Sequence, residues 1–516
     1  MKPFALVTFL LFTACTLQTS VEPPVPPPTV QVAALALSET AASTLNPTAT
    51  FTRTPTHTRT STATPSSTPT RTFTHTPTAT FTPTHVPTRN PYALAPFVGG
   101  TRRIPRAEIL NLRAPAPGTI SPALFGINYW NGPFGQNTRR ALAPLNFTVM
   151  RWGGGNYEAE PFEWQDLDLF ILNCRQSNVE PLIQVPFWNR SPEFAAKMVE
   201  YINVTKKYDV RFWSISNEPD KNLRRGSREK YIQGFRAFRD AMKAVDSRII
   251  LFGPELATEY DIHNPARDWL TPFLKANGDI VDVVSLHRYP FGGTVRWTDT
   301  LVNDAFGTTR RVEQLRAHIR NMTGRDIPLA YTEMNLSHDW TMGGEGSSAG
   351  FPAGLWLAET MGQMAEAGVT MVNIWNAHSN DSIGLVQRRP FEKRPTYFAL
   401  LMYANYGDRI VPLASQVNGV SAHASLNSRN NFTSIVLINR AKEAREFQII
   451  FNSNEQQQDG GIYMDRGSVK RMNYSLPAES MSSLTLDTDF RVTQSILYSR
   501  AMFNEKQDAR IRNGNP

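Results

Sequence analysis

A chain of 516 residues, 41% of them apolar, exceeds the size at which one hydrophobic core keeps growing, so two or three domains are expected. The formal charge of +8 is scattered, with no basic helix or aromatic-basic repeat, which argues against a nucleic-acid partner. Cys15 and Cys174 are the only cysteines, which excludes a disulfide framework.

Met1-Lys2-Pro3 and the apolar run Phe4 to Phe12 have the form of a secretory signal, too short to span a membrane. Phe12-Thr13-Ala14-Cys15 resembles a bacterial lipoprotein processing site. The expectation is an extracellular or cell-surface protein whose membrane contact is a lipid on Cys15, with plain secretion as the alternative. Cys174 would then be a core thiol inside a helix. From about residue 21 to residue 100 the composition shifts to Thr, Pro, Ser and Ala, with units such as Thr54-Pro55-Thr56 and Thr76-Pro77-Thr78. Such a stretch cannot bury enough apolar area to offset its ordering entropy and is predicted to be a disordered, extended stalk.

Beyond it, apolar runs of strand length alternate with amphipathic helical stretches, the signature of βα units around a parallel sheet. Eight strands are predicted: Ala123 to Tyr129, Phe147 to Trp152, Pro181 to Phe187, Phe212 to Asn217, Arg248 to Gly253, Val281 to His287, Ile327 to Glu333 and Val369 to Trp375. The intervening helices include Ser191 to Tyr201, Ser227 to Val245, Arg311 to Arg320 and Gly354 to Ala367. Eight strands close a barrel, so the fold class is α/β, a (β/α)8 TIM barrel over residues 118–405, with its active site expected at the C-terminal strand ends.

From about Ile410 the pattern becomes short alternating segments separated by turns such as Asn427-Ser428-Arg429-Asn430-Asn431, which predicts an antiparallel β-sandwich over residues 406–503. A strand within residues 105–117, at Ile109 to Arg113, is expected to join it. The basic, polar residues after about Asn504 read as a frayed tail. A monomer is expected.

Two strings run an apolar strand straight into an acid: Trp213-Ser214-Ile215-Ser216-Asn217-Glu218-Pro219 and Leu329-Ala330-Tyr331-Thr332-Glu333-Met334-Asn335. They end the fourth and seventh strands, on opposite sides of the barrel mouth, where two carboxylates can face each other across a bond. Hydrolysis of a glycosidic bond with retention needs this pair, one to protonate the leaving oxygen and one to attack the anomeric carbon.

Asn217-Glu218-Pro219 and Glu333 resemble the motifs of clan A retaining glycoside hydrolases, whose acid/base follows an Asn at the end of strand four and whose nucleophile ends strand seven. Within the clan the chain is most similar to glycoside hydrolase family 44, through Arg151-Trp152-Gly153-Gly154, Trp213-Ser214 and Thr332-Glu333 followed at 335 by Asn. Gly155 and Met334 depart from that family's pattern. The resemblance implies a barrel plus a β-sandwich and a retaining enzyme acting on β-linked plant-type polysaccharide, endo-glucanase or xyloglucanase-like. Clan A relatives acting on xylosides, arabinofuranosides or glucuronides are the alternative, as is a non-catalytic carbohydrate-binding surface lipoprotein.

Chemistry assigns roles within the pair. Glu218, as the acid, must hold a proton near neutral pH, which an apolar or anionic setting would secure. Glu333, as the nucleophile, needs donors: Arg151 is the candidate cation and Tyr289 the candidate hydroxyl. Asn217 would bind the sugar 2-hydroxyl. His287, ending the sixth strand, could orient either acid or bind sugar. Among the aromatics at strand ends, Trp152, Trp188 and Trp375 are candidate sugar contacts, Trp375 matching the clan's platform Trp; Trp152 could equally be packing. His338-Asp339 and His378-Ser379-Asn380-Asp381 lack a spacing that fixes a metal shell, and Gly153-Gly154-Gly155 lacks dinucleotide spacing, so no catalytic metal or cofactor is expected, a structural calcium being left open.

Overall fold

The computed structural model describes residues 104–514 apart from short stretches at 131–134, 160–162, 222–225, 258–263, 265–266, 294–298, 389–390, 452–459 and 465–469. The predicted signal segment, Cys15 and the Thr/Pro-rich stalk lie outside the described residues.

Strands β1 (Phe125–Tyr129), β2 (Val149–Trp152), β3 (Glu180–Val185), β4 (Phe212–Ile215), β5 (Ile250–Leu256), β6 (Val283–Arg288), β7 (Leu329–Met334) and β8 (Met371–Ile374) form a closed barrel in sequence order. Every neighbouring pair is parallel, and β8 pairs back onto β1. Both faces of these strands are covered, which is why each reads as an unbroken apolar run. Val149, Leu182, Phe212, Phe252, Val283, Ala330 and Met371, one from each of β2 to β8, form a layer near the strand starts. Apart from Ala330, each such side chain contributes about 1.5–3 kcal/mol on burial.

Ile109 enters that same layer, and here the structure differs from the expected strand at Ile109 to Arg113. Arg106–Leu110 is a short helix, followed by chain in no strand, and it plugs the barrel floor. Arg106 fixes it by a two-toothed contact with Glu180 at 2.7 and 3.0 Å and a third with Asp209 at 2.8 Å. Five residues are too few for periodicity to tell helix from strand. The chain instead meets the second sheet system at Thr119, bridged antiparallel to Arg409.

Beyond a small two-stranded ribbon, β9 (His378–Ser379) and β10 (Val386–Gln387), come β11 (Arg409–Ile410), β12 (Leu413–Ser415), β13 (Val420–Leu426), β14 (Thr433–Asn439), β15 (Arg445–Ile450), β16 (Gly461–Met464), β17 (Arg471–Leu476), β18 (Ser480–Leu486), β19 (Val492–Ser499) and β20 (Arg510–Asn513). They build a six-stranded sheet, β11-β13-β14-β18-β19-β20, facing a four-stranded one, β12-β16-β15-β17. The period-2 alternation of β14 shows how the six-stranded sheet is used: Ile435 and Leu437 pack into the sandwich core, Val436 and Ile438 into the barrel's. β20 replaces the expected frayed tail. It pairs with β19 from Leu497↔Arg510 to Gln494↔Asn513, and its side chains are all exposed, so a charged edge strand left no apolar signal.

Of the helices, Pro192–Val199 and Arg228–Val245 are capped by Ser191 and Ser227, whose hydroxyls accept from the N–H of Phe194 and Lys230. Cys174 is buried within the helix Trp164–Gln176. The helix Phe351–Glu366, between β7 and β8, is buried along its length because barrel and sandwich cover it from both sides. Among the described residues no helix is long and apolar enough to cross a membrane.

Candidate active site

The strand ends deliver a connected set of charged side chains to the barrel mouth. Arg151, the third residue of β2, is fully buried and centres it. Its Nη1 donates to Glu333 Oε1 at 2.9 Å and Asn128 Oδ1 at 3.1 Å. Its Nη2 donates to Asn217 Oδ1 at 2.9 Å and Glu255 Oε2 at 2.7 Å. Register accounts for part of this: Asn128 pairs with Arg151 across β1 and β2, and an irregularity between β6 and β7 sets His287 beside Glu333. Tyr289 donates its hydroxyl to Glu333 Oε2 at 3.0 Å, so both oxygens of that carboxylate carry a donor.

Glu218 lies three residues past the end of β4, because Ser216 and Glu218 both take left-handed backbone angles, φ +74° and +47°. Such angles are costly for residues with a Cβ. Here the Ser216 N–H donates to Val185 O and the Glu218 N–H to Glu255 O, both at 2.9 Å, which pins the turn. Glu218 Oε1 then meets His287 Nδ1 at 3.2 Å and Lys221 Nζ at 3.1 Å. One ligand-type atom each from Glu218, His287 and Glu333 lie within 4.8 Å of one another. Arg151, Lys221 and Tyr289 already occupy the carboxylates of this trio and set positive charge beside it, which suits an ion-pair cluster better than a cation site.

The electrostatics correct one expectation. Burial works against ionised Glu218, but the hydrogen bond and charge of His287, with Lys221, outweigh it and hold the carboxyl down at about 2. His287 responds in the opposite sense. Burial disfavours its imidazolium, yet Glu333, Glu218 and Glu255 outweigh that and raise it to about 9. The proton expected on Glu218 therefore resides on His287, one hydrogen bond away. The pair carries one proton between them, which is the capacity an acid catalyst needs.

Glu255 and Asn128 were not singled out in the sequence. Glu255 is an extra residue on an irregularity of β5, with φ +57°, and Thr332 Oγ1 donates to its Oε1 at 2.8 Å. Burial opposes its charge, but Arg151 and His287 hold it ionised, at about 2. Its signal was available: Leu251-Phe252-Gly253-Pro254-Glu255 is a third apolar run ending in an acid, masked by the Gly-Pro that suggests a turn.

The aromatic candidates divide. Trp375 is half-buried after β8 and packs with Trp130 at 4.8 Å between ring centroids. Both sit over Gly154, whose φ is +128° and where a Cβ would come within 2.9 Å of each ring. At Gly153 a Cβ would lie 2.5 Å from Arg151 Cζ, so the glycine pair leaves room for the guanidinium and the two indoles. Trp152 and Trp188 are not brought to the mouth. Trp152 is buried, stacked on Tyr129 at 5.2 Å and tilted against Tyr157 at 4.7 Å. Trp188 is buried against Phe187 and Gly226.

No family model matches the chain. Two curated Aspergillus fumigatus proteins, from different strains and both described as probable alpha-L-arabinofuranosidase C, are 23% identical to it over 208 residues, 31% of this chain and 41% of each of theirs. The chain thus spans less than half the length of the curated relatives it matches. Among solved structures, the bifunctional glucanase-xylanase CelM2 from a metagenome library is 17% identical with a TM-score of 0.52, covering 71% of this chain and 96% of that one. The family 51 α-L-arabinofuranosidase AbfB of Bifidobacterium longum is 15% identical with a TM-score of 0.55, covering 72% and 97%. The Paenibacillus polymyxa xyloglucanase of glycoside hydrolase family 44 is 15% identical with a TM-score of 0.52, also covering 72% and 97%. At such identities the likeness is one of fold: the chain shares a TIM-barrel fold with these solved glycoside hydrolases, families 44 and 51 both being represented among its neighbours.

Proposed function

We propose that this protein is a retaining glycoside hydrolase, exported and held at the cell surface through Cys15, that cleaves β-linked plant-type polysaccharide. The observation that carries the reading is the spacing of the two acids. Oxygens of Glu218 and Glu333 lie within 4.8 Å, close to the about 5–5.5 Å of retaining enzymes and short of the about 6.5–9.5 Å that leaves room for water in inverting ones.

In the first step Glu333 attacks the anomeric carbon as the proton held by the Glu218–His287 pair passes through Glu218 to the leaving oxygen. A glycosyl ester forms on Glu333. In the second, Glu218 takes a proton from water, the water oxygen bonds to the anomeric carbon, and the ester bond breaks. Arg151 and Tyr289 orient Glu333 for attack. Conversion of Glu333 to a neutral ester removes one of the charges that keep His287 protonated, which favours release of the proton at the moment the leaving group needs it. Asn217, aligned by Arg151, is placed for the sugar 2-hydroxyl, and Trp375 with Trp130 for a sugar face. An α-L-arabinofuranoside substrate is the second reading, favoured by the local match to the Aspergillus proteins.

A screen of β-glucan, xyloglucan, mannan, xylan and arabinan with product sizing, followed by NMR of the first-formed anomer, tests the proposal. Retention is expected, with Glu333→Ala inactive and partly rescued by azide. Inversion, or full activity of Glu333→Ala, would refute it.

A further inference from the structure

Glu255 has no part in the two chemical steps, yet it touches both cations that serve them. It is shut off from solvent on β5, with Oε2 2.7 Å from Arg151 Nη2 and 3.5 Å from His287 Nε2, and with Oε1 2.8 Å from the Thr332 hydroxyl. Arg151 reaches on to Glu333, and His287 reaches on through Nδ1 to Glu218 at 3.2 Å and to Glu333 at 3.5 Å. One carboxylate thus grips, from behind, the two groups whose other faces hold the reacting acids.

The charges around His287 come from every neighbouring element. Glu255 faces it from β5 and Glu333 from β7, Glu218 from the segment after β4, and Arg151 from β2. Tyr289 lies just past β6, Lys221 lies beyond Glu218, and half-buried Asp220 accepts the Ala257 N–H at 2.8 Å. Burial raises the Asp220 carboxyl. Within the ion-paired set, three carboxylates, Glu218, Glu255 and Glu333, against Arg151 and Lys221 leave one negative charge over, and an imidazolium at His287 balances it.

We propose that Glu255 is a positioning residue: it holds the Arg151 fork through Nη2 and sets its charge 3.5 Å behind the His287 ring, and that charge keeps on the Glu218–His287 pair the proton that bond cleavage consumes. The proposal rests on the glycosidase reading for its catalytic meaning. The proton balance is complete within the site: cleavage moves the pair's proton to the leaving oxygen while Glu333 bonds to the anomeric carbon, and the attacking water returns one. Without Glu255 the pair would lose its proton at a lower pH, and the enzyme would be silenced in mildly alkaline solution.

The test uses the full-length protein with two readouts. Isotope-labelled histidine side chains are titrated by NMR, His287 being assigned among the nine histidines from the signal lost in His287→Asn, and kcat/KM is followed from pH 5 to pH 10. Glu255→Gln is expected to move the His287 midpoint and the alkaline limb of kcat/KM down by about one pH unit or more. Activity should then fall about twofold more at pH 8 than at pH 6 and about tenfold more at pH 10, above the wild-type midpoint near 9, since one unit is a factor of ten, with KM little changed. Glu255→Asp, which keeps the charge, should restore most of the limb. A His287 midpoint unmoved in a folded Glu255→Gln protein, or an equal loss at every pH, would overturn the proposal. If Glu255→Gln does not fold, Glu255→Asp decides by its midpoint, since a carboxylate drawn back by one methylene should lower it measurably and an unmoved midpoint refutes the role. The NMR readout needs no substrate, so inactivity on every glycan would defeat the glycosidase reading and leave the positioning role to be judged separately.

Discussion

Replacing His423 by Gln should make the protein's stability less sensitive to alkali, by an amount the structure sets. His423 reaches from β13 to the helix Phe351–Glu366, with Nδ1 2.8 Å from Glu366 Oε1 and Nε2 3.5 Å from Glu359 Oε1. Ser421 and Gln363 also bond Glu359. Burial opposes the imidazolium, but Glu359 and Glu366 outweigh it and raise it from 6.5 to about 10. Glu359 is itself lowered to about 2, His423 overcoming burial, which is the same interaction seen from its other end and is not added. A raised folded value gives stability that is complete below the unfolded value and is lost as pH climbs through the folded one. From pH 6.5 to pH 9 the loss is about 3 kcal/mol at about 1.36 kcal/mol per unit. With an unfolding entropy of about 2.1 cal/mol/K per residue over roughly 400 residues, that is a fall in Tm of about 3–4 °C. Scanning calorimetry of wild type and His423→Gln at pH 6.5, 8 and 9 should show the wild-type advantage shrinking by this amount. His287 titrates in the same window but is common to both proteins and cancels in the difference. An advantage that is constant with pH, or that grows, would refute the reasoning.

Arg151→Lys keeps the charge but cannot span Glu333, Asn128, Asn217 and Glu255 at once. Losing about 3 kcal/mol of charge-assisted bonding in the transition state would lower kcat about a hundredfold, read in steady-state kinetics on whichever glycan proves to be the substrate. Gly153→Ala should push the guanidinium aside, because the new methyl carbon would sit 2.5 Å from Cζ. The expected result is a loss of at least about tenfold in kcat with a Tm near wild type; unaltered kinetics would show that the fork can shift without consequence.

How much of this was legible varies with where each signal resides. The barrel strands were readable because a parallel strand covered on both faces is an uninterrupted apolar run, and their C-terminal ends located Arg151, Glu218, His287 and Glu333 without coordinates. Where those side chains point was not readable. Glu255 turns inward only because an extra residue in β5 takes a left-handed angle, and a Gly-Pro pair hid the strand that carries it. The proton on His287 was unreadable too, since it depends on three acids from distant parts of the chain meeting around one ring. Trp152 and Trp188 lie at strand ends, as sugar-binding indoles would, but sequence position does not say whether a ring faces the mouth or the helices. β20 escaped notice because this edge strand is held chiefly by backbone pairing, with no buried side chain to betray it.

The helix Phe351–Glu366 has a consequence for how such a protein can be dissected or inherited. It joins the strand bearing Glu333 to the strand before Trp375, and it has no solvent face of its own: its apolar outer side is the floor on which the six-stranded sheet rests, with Phe351 and Phe398 packed on Tyr498. A chain stopped near residue 405 would bare that surface and lose the cross-link at His423, so it is expected to aggregate rather than yield a minimal enzyme. The sandwich is therefore no detachable accessory that recombination could trade for another. It is the outer wall of the barrel, and an exchange would have to carry both.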